Sequence, residues 1–466
     1  MIAETQQLAN YLPAFSSFRN EATGRKLPWL ERLRENAFAR FCEKGFPTTR
    51  IEDWRFTSVS AIAHAEFELA QDGSGLVSNT QIVQHGMKDT ACRLVFVNGR
   101  FLPEFSSFEG LPDGLVVRSL ARQIAEAPQT VEPYLGRYLN IERDPFCALN
   151  SAFLEDGAYI HIRRGAIIEA PVYLQFVSVG NGRATMNHPR NLVVAEDGSQ
   201  AAVVEDYFSL GDSATLSNAA TELVAGDSTV VSHYQVERES LEAFHISTLR
   251  IQQGRSTNVA SHSLLIGGRL VRNNVHPVLA GEGGECLING LFIGKGSQHL
   301  DNYMLVEHLS PHCGSRQFYN GILDDRAHGV FHGRIIVHKE AQKTDAKQTN
   351  RNLLLSDDAQ IDTKPQLEIL ADDVKCTHGA TIGQIEDEAL FYLRTRGIDE
   401  VSARQILLLA FASECTERMK ESAVRAFVQP LIESHVGQMA HMRAESTTRE
   451  KSTIENGEDR NREELQ

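Results

Sequence analysis

The chain has 466 residues, 42% of them hydrophobic, which allows two or three domains and a large core. Its formal net charge of −15, from 61 acidic and 46 basic side chains, excludes the basic footprint of a nucleic-acid binder and suits a soluble protein with a basic partner. Its seven cysteines are widely spaced and never form a CxxC pair, so they are no disulfide framework and point to a reducing compartment.

Residues 1–145 read as a mixed, mostly helical domain. Trp29, Leu30, Leu33, Ala37, Phe38 and Phe41 recur at helical spacing, and Gly45 and Pro47 end that helix. The first thirty residues carry Glu4, Asn10, Arg19 and Glu21 and lack an apolar signal core. No stretch of the sequence is long and apolar enough to span a bilayer, so the expected location is the cytoplasm, away from membranes. Cys92 to Phe105 predicts a hairpin turning at Asn98-Gly99. Leu120 to Leu139 predicts a helix interrupted at Pro128 and Pro133.

Residues 146–385 change character. Short β-rich runs (AYIHI, VYLQFVSV, NLVVA, AAVVEDYF, TVVSHYQV, RIIVH) alternate with acidic or Gly-rich turns, and no amphipathic helix is visible. Four turns resemble one another, at Ala195, Val224, Leu279 and Leu355, as a weak self-similarity. A stretch this long suits stacked parallel coils better than a sandwich, because each coil buries its face on the next. The expected class is mainly β, with a β-helix core between N-terminal and C-terminal helical domains.

Residues 386–436 predict helices. The first carries Leu390, Phe391 and Leu393 and stops at Gly397. A second is capped by Asp399 and carries Leu408 and Phe411. A third is disturbed at Pro430. The second is apolar around much of its circumference and needs cover from the solenoid, a neighbouring helix or a partner. Residues 437–466 are polar, without aromatics, and are expected to form a disordered tail.

The sharpest chemical pair is Cys376 and His378, which share a face if Val374 to His378 is a strand. A thiolate beside an imidazole makes a soft metal corner, but two ligands do not complete a site, so others must come from elsewhere or from another chain. The alternative is a small buried cysteine beside a hydrogen-bonded core histidine. His299, His308, His312, His328, His332 and His338 crowd one segment. They read as solvated or interface histidines on the polar face of strands. Gly290 to Gly296 is one residue short of a phosphate loop and has Gly296 where Ser or Thr should hold magnesium, so no nucleotide site is expected. Adjacent acids such as Asp324 and Asp325, or Asp357 and Asp358, read as turn residues.

These residues also carry a resemblance. Phe331 to Gly383, followed by DEALFYLRTRGI, is similar to the SufB/SufD family of iron–sulfur cluster assembly proteins. HGATIG, LFYLRTRGI and FPTTRIEDWRFTSV (Phe46 to Val59) lie nearer its SufD branch. The resemblance covers nearly the whole chain except the C-terminal tail. It implies a non-enzymatic scaffold with a right-handed parallel β-helix. The scaffold would pair with SufB through that β-helix and with the ATPase SufC through the C-terminal helices around Leu390, Phe391, Leu393, Leu408 and Phe411. A transient cluster would form at the SufB–SufD interface, with His378 as the matching histidine and tentative metal ligand, and Cys376 beside it. The isolated chain would be able to pair as a homodimer. The competing classes are a β-helix carbohydrate-active enzyme, disfavoured by the lack of a signal core and of an aspartate cluster on one strand face, and a metal-free structural solenoid.

Overall fold

The computed structural model describes residues 11–180 and 182–441. Its centre is a parallel β-solenoid in which successive strands alternate between two facing sheets, of eleven and ten strands. The first sheet ends in Phe244–Gln253, Leu270–Leu279, His299–His308, His328–Val337 and Gln360–Ile369. The second ends in Val230–Arg238, Asn258–Leu265, Glu285–Gly294, Gly314–Leu323, Asp345–Leu354 and Lys375–Gly383. Each strand pairs in parallel with the next strand of its own sheet.

Stacking in register places like residues in columns. Leu249, Val275 and Met304 follow one another inside the first sheet. Val231, Val259 and Cys286 do so inside the second. Both columns are buried in one continuous core, and each fully buried aliphatic side chain contributes about 1.5–3 kcal/mol.

The weak sequence repeats are corners of the solenoid. Gly198, Ser228, Ser256, Gly283, His312 and Lys343 occupy one corner position in successive coils, and all have positive φ. Each donates its backbone N–H to a carbonyl of the next coil: Gly198 to Asp227, Ser228 to Arg255, Ser256 to Glu282, Gly283 to Pro311, His312 to Gln342 and Lys343 to Asp373. A left-handed residue recurs on this edge of each of these coils, but only some use glycine there, and the Leu355 turn lies on the opposite edge without a positive φ, so the repeat is faint in sequence.

The two outer faces are covered differently. Helices Tyr11–Glu21, Pro28–Lys44 and Pro145–Ala152 pack on the first sheet through Phe38, Phe41, Phe146 and Leu149 against Leu216, Phe244, Ile246 and Leu270. Gly45 ends the second of these helices, as expected, with its N–H on the Phe41 carbonyl. The Asn98-Gly99 hairpin forms, with both turn residues at positive φ and Phe96 opposite Phe101. Cys92–Val97 and Leu115–Ser119, within the mostly helical stretch, join the solenoid sheets.

The second sheet is covered by helices Glu400–Thr416 and 422–441, and helix Asp387–Thr395 packs against Glu400–Thr416. Asp399 caps the middle one through the Ser402 N–H. Leu408, Ala412, Cys415, Val424, Val428 and Ile432 pack against Tyr234, Val236, Leu264, Leu291 and Ile322. The cover that the apolar helix required is therefore this chain's own sheet. The last helix passes through Pro430 unbroken and reaches at least 441, so residues 437–441, expected to be disordered tail, are helical, with Met439 and Ala440 buried. The rest of that expected tail lies outside the described residues. Among the described residues, no helix is long and apolar enough to cross a membrane.

Candidate functional site

The two ends of the solenoid differ. At the first end antiparallel strands close the sheets: Leu115–Ser119 on Ala158–Ile162, and Arg100–Phe101 on Cys92–Val97. At the other end Gln360–Ile369 and Lys375–Gly383 are the last strands of their sheets. Nothing among the described residues pairs with their outer edges. Their inward-facing Ile361, Leu367 and Cys376 are only partly buried, whereas the equivalent residues one coil earlier, Gly329, Ile335 and Ala346, are buried. Ile382 is 51% exposed and Leu370, just beyond the first sheet's last strand, 63%. An open strand edge with apolar surface beside it is a template for another chain.

Cys376 and His378 lie on this end. Register pairs Ala346 with Cys376, Gln348 with His378 and Asn352 with Ile382. Both side chains therefore belong to the inward face, as the alternation in sequence predicts. Behind Cys376 run Ser315 and Ala346, and behind His378 run Gln317 and Gln348. Cys376 is half-buried and His378 is exposed at the mouth. Burial raises the Cys376 thiol above its ordinary range, the backbone of Ala346 opposes that, and the Asp345 charge adds to it. The thiol form is thus favoured while the end stays open. Among the described residues no group of three or more His, Cys, Asp or Glu side chains is arranged to hold a metal ion.

The histidine-rich segment is largely a packing feature. His299, expected to be solvated or at an interface, is half-buried, with Nε2 2.9 Å from the Thr57 hydroxyl. His308 is buried in the lumen against Ser315. His332 is buried beneath Gln366 and edge-on to Tyr303. His312 is one of the left-handed corners, while His328 and His338 keep partial exposure beside Asp362 and Glu307. Gly290 to Gly294 lies within a strand and Gly296 at a corner of positive φ, so the glycine run is no phosphate cradle.

Of the residues expected to meet the ATPase, Phe391 is 69% exposed and its neighbour Tyr392 57%. Leu393 is half-buried. Leu390 is buried, and Leu408 lies deep in the helix–sheet core, where it presents nothing to a partner. Phe411 is partly covered by the Arg351 guanidinium, 5.4 Å from the ring centroid.

Sequence reasoning missed how the Phe46 to Val59 segment docks. Arg272 is held between Trp54 and Tyr303, at 3.8 and 4.8 Å from the ring centroids. It bonds to Asp301 and to the Asp53 carbonyl, and Thr57 donates to Asp301. Lys364, on the last strand of the first sheet, pairs with Glu52. The N-terminal segment thereby braces the coils next to the open end. The Glu-Asp-Trp-Arg run was visible in the sequence, but its partner Arg272 lies too far along the chain for any local pattern to show.

With this geometry in view, the similarities to known proteins are specific. Residues 176–411 match the description "SUF system FeS cluster assembly, SufBD core domain", and residues 5–174 match "SufBD protein N-terminal region". The chain belongs to the SufBD family. It is 33% identical to an iron–sulfur cluster assembly SufBD family protein of Synechocystis, over 80% of this chain and 84% of the relative. It is 31% identical to the iron–sulfur cluster assembly protein SufD of Escherichia coli, over 82% and 87%. Identity to SufD of Bacillus subtilis is 24%, over 91% and 97%. As a SufBD protein it is a component of iron–sulfur cluster assembly, and the matched core domain contains the histidine-rich coils, Cys376 and His378.

Proposed function

We propose that this chain is the SufD-type scaffold of a cluster assembly complex. It pairs with a SufB-type chain through the open end of the solenoid, and a nascent iron–sulfur cluster forms as cargo at that junction. The observation that carries this reading is the unclosed last coil with Cys376 and His378 on its inward face. A second solenoid added edge to edge would cover Ile361, Leu367 and Ile382 and continue both sheets. It would also supply the ligands that Cys376 and His378 lack. Neutral imidazole is a good ligand for iron, and His378 supplies either a ligand or a proton-transferring group there. The SufC-type ATPase docks on the exposed side of the first C-terminal helix, at Phe391 and Tyr392, and the chain has no enzymatic activity or nucleotide site of its own. It works in the cytoplasm.

The test is anaerobic cluster formation by the co-expressed three-protein complex. His378→Ala is expected to leave the complex intact and to reduce cluster formation at least tenfold. Cys376→Ser is expected to reduce it less. Wild-type cluster formation by His378→Ala overturns the assignment of His378. Failure to co-purify with SufB, with the chain recovered as a homodimer through the same end, overturns the pairing.

A further inference from the structure

The column that ends in His378 is unusual for a solenoid interior. From the Asn258–Leu265 strand outward it reads Ser261, Ile288, Gln317, Gln348, His378. Gln317 and Gln348 are both at most 2% exposed. Gln348 Nε2 donates to Gln317 Oε1 at 2.6 Å, so the two amides form a short ladder pointing at the open end. Room for it is made from the opposite sheet. A Cβ on Gly333 would lie 1.9 Å from Gln348 Nε2 and 3.0 Å from Gln317 Oε1. The ladder is incomplete at both ends: Gln317 Nε2 and Gln348 Oε1 are buried and have no hydrogen-bond partner. A buried acceptor without a donor keeps its desolvation penalty uncompensated. The next residue of the same column is His378, on a strand one spacing away (roughly 4.8 Å), and its exposed ring makes no hydrogen bond to Gln348 Oε1 in this structure.

We infer that Gln348 is a positioning residue for His378: when the exposed ring turns inward, the unpartnered Oε1 accepts a ring N–H from His378, which fixes one imidazole tautomer and leaves the other ring nitrogen, with its lone pair, facing the open end. The inference rests on the proposed role of His378 and adds to it the residue that orients the ring. In this structure Gln317 Oε1 holds the Gln348 Nε2, which leaves Oε1 as the free end of the Gln348 amide. The acceptor end is therefore the one offered to His378. A metal-binding or proton-transferring histidine commonly has its second nitrogen fixed by such a bond, and the bond decides which nitrogen is available.

The experiment uses the full chain with 15N-labelled histidine at a pH where the imidazole is neutral. The wild type is expected to show the two ring nitrogens of His378 at widely separated shifts, as one tautomer. In Gln348→Leu those shifts are expected to converge towards an exchange average, and in Gln348→Glu, which keeps an acceptor, to separate again. Gln348→Met serves as a second apolar variant should Gln348→Leu fold poorly, judged by its melting transition. Unchanged His378 ring shifts in a folded Gln348→Leu or Gln348→Met overturn the inference. In the assembled complex the same apolar variants are expected to lower the rate of cluster formation severalfold without lowering complex yield, and Gln348→Glu is expected to restore it. If His378→Ala assembles clusters normally while the ring shifts respond to Gln348, the contact stands and the cluster role of His378 falls.

Discussion

Arg190 and Glu222 are both fully buried, and the guanidinium meets the carboxylate at 2.6 Å. Glu222 also accepts the backbone N–H groups of Gly136 and Tyr138, so the pair ties an N-terminal loop to the solenoid wall. Removing one partner leaves a buried charge unpaired, at a cost of about 3–5 kcal/mol. Arg190→Leu is expected to lower stability by that amount, read as a reduced urea midpoint with an unchanged slope. Gly157 sits against the same residue, at φ +154, and a Cβ there would lie 2.0 Å from the Arg190 carbonyl oxygen. Arg190 stands between Pro189 and Asn191 ahead of the apolar LVVA run, and nothing near it in the chain marks Glu222 as its partner. Cys376 and His378 are the opposite case. Their spacing alone places them on one strand face, because strand periodicity is a local property.

At the scale of elements, the last helix decides how far the folded chain extends. Met439 and Ala440 are almost fully buried against the second sheet's helical cover. Ending the chain after Val436 removes that packing and is expected to destabilise it by about 2–4 kcal/mol, the range for losing a large buried side chain. Ending it after His441 is expected to leave the melting temperature unchanged. A scan of both truncations checks the pair. The polar composition after Gly437 reads as tail because a single buried methionine is too weak a signal against many charges. Removing all three C-terminal helices would bare Tyr234, Val236, Leu264 and Leu291 to water, so a test of ATPase docking belongs on the exposed residues instead. Phe391→Ser with Tyr392→Ser is expected to weaken SufC co-purification at least tenfold and to leave the melting temperature within a degree or two. Loss of stability instead would mean that these rings pack within the chain.

The whole molecule holds an unusual number of histidines away from water. Burial pushes His188, His262 and His276 down to about 3, and His299 and His308 down to about 4. Unfolded histidine titrates near 6.5, so each group stays neutral in the fold but binds a proton in the unfolded chain as pH falls below that value. Stability contributed by the neutral form is present above about 6.5 and is lost progressively as pH falls towards the folded values. Glu237 acts in the opposite sense. Burial raises it to about 7, so its protonated form favours the fold below the ordinary carboxylate range, and that contribution fades as pH rises to neutrality. Asp144, Asp156 and His245 are raised and act with Glu237, whereas His85, His332 and His435 are lowered and act with the five histidines, so the lowered groups are the more numerous, and each of the five contributes on the order of 1 kcal/mol per pH unit. Denaturant midpoints measured from pH 7.5 to 5 are expected to fall steeply below 6.5. A flat profile would show that the buried histidines find protons or water in the fold.

The sequence by itself determined the class of architecture, the helical ends, the hairpin at Asn98-Gly99, the Gly45 and Asp399 helix boundaries and the shared face of Cys376 and His378. All of these follow from periods of two or 3.6 residues and from turn chemistry, which act over a few neighbours. Only the tertiary structure decided that the apolar helix is covered by the solenoid's own second sheet, that His308 and His332 are buried, that Arg272 is held between Trp54 and Tyr303, and that one end of the solenoid is closed while the other is open. Each of these depends on residues brought together by stacking coils, at separations the local pattern does not encode. The open end is a property of where stacking stops, and it turns a cysteine and a histidine on one strand into a surface that another chain can complete.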